Sequence, residues 1–178
     1  MSIVLIGMKA SGKTTVGKIL AKKLNMRFVD MDNIIEKKYK IKSGQSLSFR
    51  EIFKKYGEKY FTNLESECLS EVCKETNGNI ILACGGRTPL TKRNQNLLKK
   101  IGPAVYLDVD KKELLSRILK NGLPAFLKYT NNPGKSLDML LKVRNPIYEE
   151  IADIKISCSD KKPDKIAGLI IKKYYDQN

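Results

Sequence analysis

Apolar residues along this chain fall into short unbroken runs that alternate with stripes at helical spacing. The first run, Ile3-Val4-Leu5-Ile6, stops at Gly7, and beyond the next loop Val16, Ile19, Leu20 and Leu24 recur at helical intervals. That pattern predicts a buried strand running through a glycine loop into a helix. Arg27-Phe28-Val29 reads as a second short strand, ending in Asp30 and Asp32 ahead of another helix. Ile52, Phe53, Tyr56, Phe61, Leu64, Cys68, Leu69 and Val72 mark a helix over 51–73, broken near Gly57. Further strands are expected at 80–84, 104–109 and 155–158. Helices are expected at 88–100, 111–120, 137–151 and 165–175, with a turn at 160–164. Segment 122–135, with two prolines and two glycines, has loop composition and the length of a lid. Strands alternating with helices predict an α/β fold, a parallel sheet covered on both faces.

The chain of 178 residues, 42% of them apolar, suits one domain over 1–178. No apolar run approaches the ~20 residues that span a bilayer, and the N-terminal strand lacks the charged region of a leader. A cytoplasmic protein without a membrane partner is expected. Cys68, Cys73, Cys84 and Cys158 show no C-x-x-C spacing and histidine is absent, so reduced packing cysteines are expected rather than zinc ligands or disulfides. The net charge of +15 raises the question of nucleic acid. Only six of the 34 basic residues are arginines, however, and the lysines spread over every segment without an aromatic-rich binding motif. Diffuse lysine reads as a solvated surface, and no nucleic-acid partner is expected.

Gly7-Met8-Lys9-Ala10-Ser11-Gly12-Lys13-Thr14 fits G-x-x-x-x-G-K-[ST] at every fixed position, in the strand-to-helix setting that a phosphate-binding loop requires. Glycines let backbone N–H groups converge on phosphate oxygens, and the helix that follows adds its positive end. Gly7, Ala10, Ser11, Gly12, Lys13, Thr14 and Thr15 form the expected nucleotide cradle. Lys13 reaches the β- and γ-phosphates, and the Thr14 hydroxyl ligates Mg²⁺. Acids at the carboxyl end of the second strand belong beside that loop. Asp30 suits the Mg²⁺ shell, and Asp32 suits an acceptor hydroxyl or its proton, with helix N-capping as the plainer role for Asp32.

Taken together these pieces resemble the shikimate kinases, small P-loop enzymes of the nucleoside monophosphate kinase type. The resemblance spans nearly the whole chain. It rests on the P-loop, on Phe28-Val29-Asp30-Met31-Asp32 with Ile35-Glu36, on Glu51-Ile52-Phe53, Gly57-Glu58, Phe61 and Glu65, on Gly85-Gly86, and on the run from Arg144 through Asn145, Pro146, Ile147 and Tyr148 to Ala152. It implies a five-stranded parallel sheet in a three-layer sandwich, an acceptor-binding region at about 32–65 and a lid at about 120–136. It also implies transfer of the γ-phosphoryl of ATP to a hydroxyl of shikimate, giving shikimate 3-phosphate and ADP in aromatic amino acid biosynthesis. By the same resemblance Lys13 and Asp32 are the catalytic pair, with Asp32 as base, and Thr14 and Asp30 hold Mg²⁺. Gly85 and Gly86 lie beneath the acceptor, Arg144 grips its carboxylate, Arg117 packs on adenine, and Pro163 lies in the loop bordering it. A monomer is expected.

Three departures fall on the acceptor and transfer side. Thr62 stands where the family has a second carboxylate-binding arginine, Leu123-Pro124 replaces an Arg-Pro dipeptide of the lid, and six extra residues lie between Ile35 and Phe53. Cys84 also replaces a usual third glycine. Arg87, directly after Gly85-Gly86, and Arg50 are candidates to restore a carboxylate contact, as Lys120 and Lys128 are for the lid charge. The alternatives are a kinase of the same fold acting on another small hydroxy acid or polyol, and a nucleotide-binding protein without transfer activity.

Overall fold

A computed structural model describes residues 2–120 and 131–176. Five parallel strands form one sheet: β1 (Ser2–Ile6), β2 (Arg27–Asp30), β3 (Ile80–Ala83), β4 (Ala104–Asp108) and β5 (Ile154–Ser157), in the order β2-β3-β1-β4-β5. The seven helices among the described residues are α1 (Lys13–Leu24), α2 (Met31–Ser43), α3 (Phe49–Glu75), α4 (Lys92–Ile101), α5 (Lys111–Lys120), α6 (Pro133–Ile151) and α7 (Pro163–Asp176). The central strands β1 and β3 are buried along their whole length, whereas the edge strands β2 and β5 are exposed at alternate or terminal positions. Unbroken apolar runs therefore become inner strands, because helices cover both faces of a parallel sheet. Full burial of an aliphatic side chain is worth ~1.5–3 kcal/mol, so Ile3, Val4, Leu5 and Ile6, all at zero exposure, anchor the core.

Chain order explains where the crevice opens. From β1 the chain crosses to β2, returns through β3, and places β4 on the far side of β1. Ligands of open α/β sheets bind outside the carboxyl ends of the strands at such a reversal. The P-loop after β1, Asp30 at the end of β2 and Gly85-Gly86 after β3 all lie at that edge. Helix α1 packs tightly against the sheet because Gly17 lacks a side chain, and a Cβ there would come within 2.5 Å of the Phe28 ring.

Several boundaries move from those the sequence predicts. The helix expected over 88–100 is a 3₁₀ turn at Thr88–Leu90 followed by α4, whose N-cap Thr91 accepts a hydrogen bond from the Asn94 N–H. Helix α6 starts at Pro133 with Asn132 as its cap, so the last residues of the expected lid are helical. Proline suits a first helical turn, where no N–H is needed. For the same reason Pro163 opens α7 instead of lying in a loop. The break near Gly57 is present: Gly57 has φ 77° and ψ −177°, a conformation open to glycine that bends α3. Among the described residues no helix is long and apolar enough to cross a membrane.

Candidate active site

A cavity of about 600 Å³ opens at the carboxyl edge of the sheet. One wall is the P-loop, where Ala10, Gly12, Lys13, Thr14 and Thr15 face it. Gly7 and Ser11 lie behind that wall and shape it. Gly7 has φ 137°, and a Cβ there would meet the Leu107 carbonyl at 2.8 Å. Lys13 is 8% exposed and its ammonium donates to the carbonyls of Gly7 (3.0 Å) and Met8 (2.8 Å) and to Ser11 Oγ (3.4 Å). Burial lowers its pKa to about 8, partly opposed by the nearby Asp32 carboxylate. A charge so poorly solvated gains strongly from a phosphate anion.

The two acids where β2 passes into α2 divide their work differently from the plainer expectation. Asp30, not Asp32, caps α2: its Oδ1 accepts from the Asp32 N–H at 3.0 Å. Its other oxygen, Oδ2, accepts from Thr14 Oγ1 at 2.9 Å, joining β2 to the start of α1. Asp32 is thereby left to face the cavity. Burial first, and the neighbouring Asp30 charge second, raise its pKa to about 6.

The floor is built on Gly85 and Gly86. A Cβ on Gly85 would lie 3.0 Å from Glu65 Oε1, 3.2 Å from Thr88 Oγ1 and 3.5 Å from Asp32 Oδ1. Bare backbone therefore brings two carboxylates together around one small space. A Cβ on Gly86 would sit 3.4 Å from the Lys9 backbone nitrogen and 3.6 Å from Arg144 Nη1, so this glycine is the seam between P-loop and α6. Tyr148, on α6, donates to the Gly86 carbonyl at 2.5 Å and holds the seam closed. Arg144 is 4% exposed and lines the cavity beside the same carbonyl. Cys84, in place of a third glycine, lines the cavity as a buried thiol.

Glu65 and Lys9 belong to this site although no chemistry was assigned to them from sequence. Glu65 is 2% exposed in an otherwise apolar stripe of α3, its Oε1 accepts from Thr88 Oγ1 at 2.6 Å, and burial raises its pKa to about 7. A charged residue at a core position of a helical stripe is the signal that could have found it. Lys9 lines the cavity with its ammonium 5.5 Å from the Phe49 ring centroid, and burial lowers its pKa. It fills a variable position of the P-loop pattern, so spacing gives no hint of it.

Of the remaining candidates, Arg117 and Pro163 line the nucleotide end, and Arg117 Nη1 donates to the Ala10 carbonyl at 3.1 Å. Arg50 and Arg87 line the acceptor end together with Phe49, Phe53 and Phe61. Thr62 and Lys120 do not line the cavity, and Leu123, Pro124 and Lys128 fall outside the described residues.

A triphosphate cradle sharing one cavity with a glycine-floored, carboxylate- and arginine-lined pocket defines a P-loop phosphotransferase for a small anionic acceptor. Comparisons narrow the class. A sequence model of the shikimate kinase family matches residues 9–175. A shikimate kinase of Sulfurihydrogenibium sp. is 35% identical over 97% of this chain and 96% of its own length, and one of Clostridium botulinum is 40% identical over 84% and 83%. The shikimate kinase of Acinetobacter baumannii in complex with shikimate superposes with a TM-score of 0.89 at 31% identity, covering 99% of this chain and 94% of that one. That of Aquifex aeolicus gives 0.81 at 30% identity, covering 99% and 98%. The chain belongs to the shikimate kinase family, ATP-dependent phosphotransferases that act on a hydroxyl of shikimate.

Proposed function

We propose that this protein phosphorylates shikimate from ATP with the residues of the cavity in the following roles. The observation that carries the reading is that Lys13, on the triphosphate side, and Asp32, on the acceptor side, open onto one continuous space. Backbone amides of the loop from Gly7 to Thr15, with Lys13, hold the β- and γ-phosphates, while Arg117 and Pro163 border the adenine. The acceptor rests on Gly85 and Gly86, its carboxylate on the Arg144 guanidinium, whose fork donates two parallel hydrogen bonds. Residues 32–65 shape that pocket, and most of the segment expected as a lid, about 120–136, lies outside the described residues.

The acceptor oxygen attacks the γ-phosphorus as the bond to the β–γ bridging oxygen breaks. Its proton passes to Asp32, and ADP leaves with the bridging oxygen. Burial raises the Asp32 pKa to about 6, which leaves it ionised at neutral pH and a better proton acceptor than a solvated aspartate. Thr14 Oγ1 and Asp30 Oδ2, 2.9 Å apart, fit Mg²⁺, which takes one or two protein oxygens and completes its shell with phosphate and water. When bound, the ion neutralises charge on the β- and γ-oxygens. The four cysteines are free thiols, and this supports a cytoplasmic setting.

The test is ADP release with Mg-ATP and shikimate, beside an acceptor-free control and Asp32→Ala. Turnover that needs shikimate and drops by at least about 10²-fold in the variant supports the reading. ATP binding with no shikimate-dependent turnover refutes it.

A further inference from the structure

Two guanidinium groups line the acceptor end of the cavity. Arg144 reaches it from α6 and Arg87 from the turn after Gly86, and each lines the wall. Burial lowers the Arg144 pKa and the Arg87 charge adds to that shift, while Tyr148 and Glu58 oppose it. Arg87 lies over the Phe53 ring, its Cζ 5.7 Å from the centroid, so the flat group is held against the pocket wall. Its Nη2 pairs with Glu58, a largely exposed carboxylate one residue past the Gly57 bend. Its Nε is buried and has no hydrogen-bond partner among the described residues.

A buried donor without an acceptor and two like charges near each other are both unfavourable, and a ligand carboxylate between the two guanidinium groups would relieve the repulsion. The two other carboxylates of the cavity, Glu65 and Asp32, both face the Gly85 floor, and Glu65 is engaged by Thr88. We infer that Arg87 is the second arm of a two-arginine clamp on the acceptor carboxylate, and that Glu58 occupies this arm until the acceptor arrives. The inference rests on the proposed reading that shikimate is the acceptor. Thr62 cannot take this part, since its short neutral side chain lies off the cavity wall.

The experiment compares shikimate with its methyl ester, which lacks the charge, in the wild type and in Arg87→Ala, Arg87→Lys, Glu58→Gln and Arg144→Ala. Binding of ATP and circular dichroism serve as checks on folding. Arg87→Ala should raise the shikimate KM about ten- to a hundredfold, as expected for a lost charge-assisted contact, with the ATP Kd unchanged. The ester should lose far less, and Arg87→Lys should recover part of the affinity. Glu58→Gln should lower the shikimate KM by up to about fivefold, the scale of a solvent-exposed ion pair. An unchanged shikimate KM in Arg87→Ala, with Arg144→Ala impaired, would overturn the clamp and leave the proposed function standing. A raised KM in Glu58→Gln would overturn the occupancy of the arm by Glu58. A wild type inactive on shikimate would overturn both the clamp and the function.

Discussion

Asp30 serves two helices at once: Oδ2 accepts from Thr14 Oγ1 at 2.9 Å, at the start of α1, and Oδ1 accepts from the Asp32 N–H at 3.0 Å, in the first turn of α2. The same carboxylate thus orients a phosphate-loop hydroxyl and frees Asp32 to face the cavity.

Substitutions at Asp30 should separate capping from metal binding. Asp30→Ala loses the cap and should cost about 1 kcal/mol of stability, read from the denaturant midpoint. Asp30→Asn keeps a cap acceptor and should stay within about 0.5 kcal/mol of the wild type. Both should need roughly tenfold more Mg²⁺ for half-maximal turnover, about 1.4 kcal/mol of binding. An unchanged Mg²⁺ requirement in Asp30→Asn would reduce Asp30 to a cap.

Gly85→Ala should strike the acceptor side alone. The added methyl would press on Glu65, Thr88 and Asp32 at 3.0–3.5 Å and fill the floor. We expect the shikimate KM to rise by at least about tenfold, with overpacking costing ~1–3 kcal/mol, while the ATP Kd holds. Equal losses for both substrates in titrations of the variant would contradict a floor confined to the acceptor.

Glu65 should leave a mark on the pH dependence of stability. Its folded pKa, raised to about 7 chiefly by burial, exceeds the unfolded value. Such a carboxyl contributes stability in full below about pH 4.5, and loses it as pH rises through about 7. Glu65→Gln, whose carbonyl can still accept from Thr88, should therefore gain on the wild type by about 1–3 kcal/mol between pH 5 and pH 8. Urea unfolding at both values reads the gain, and a pH-independent difference would exclude a buried carboxylate penalty.

Gly17→Ala should destabilise the protein by ~1–3 kcal/mol, since the new Cβ would lie 2.5 Å from Phe28 Cε2 and 3.2 Å from Leu5 Cδ1. Phe28→Leu in the same chain should recover part of that loss, because neighbouring substitutions couple. Additive losses in thermal melts would show that the contact does not limit α1 packing.

What the sequence determined by itself is whatever depends on neighbours along the chain. Apolar runs became the inner strands, the Gly-Lys-Thr spacing became the phosphate loop, and the bend fell at Gly57, because periodicity and backbone freedom are local properties. The same holds for Gly85-Gly86, whose position after a buried strand already marked a place of close approach. Only the tertiary structure decided which side chains share the cavity. Arg117 meets the Ala10 carbonyl across 107 positions of sequence, Tyr148 meets Gly86 across 62, and Thr88 meets Glu65 across 23. No local pattern encodes such pairs. They follow from the β2-β3-β1-β4-β5 order, which carries the ends of distant strands to one edge of the sheet. Burial at that edge then sets the chemistry: it lowers the pKa of Lys13, raises those of Asp32 and Glu65, and gives a helix-stripe glutamate a place in the site.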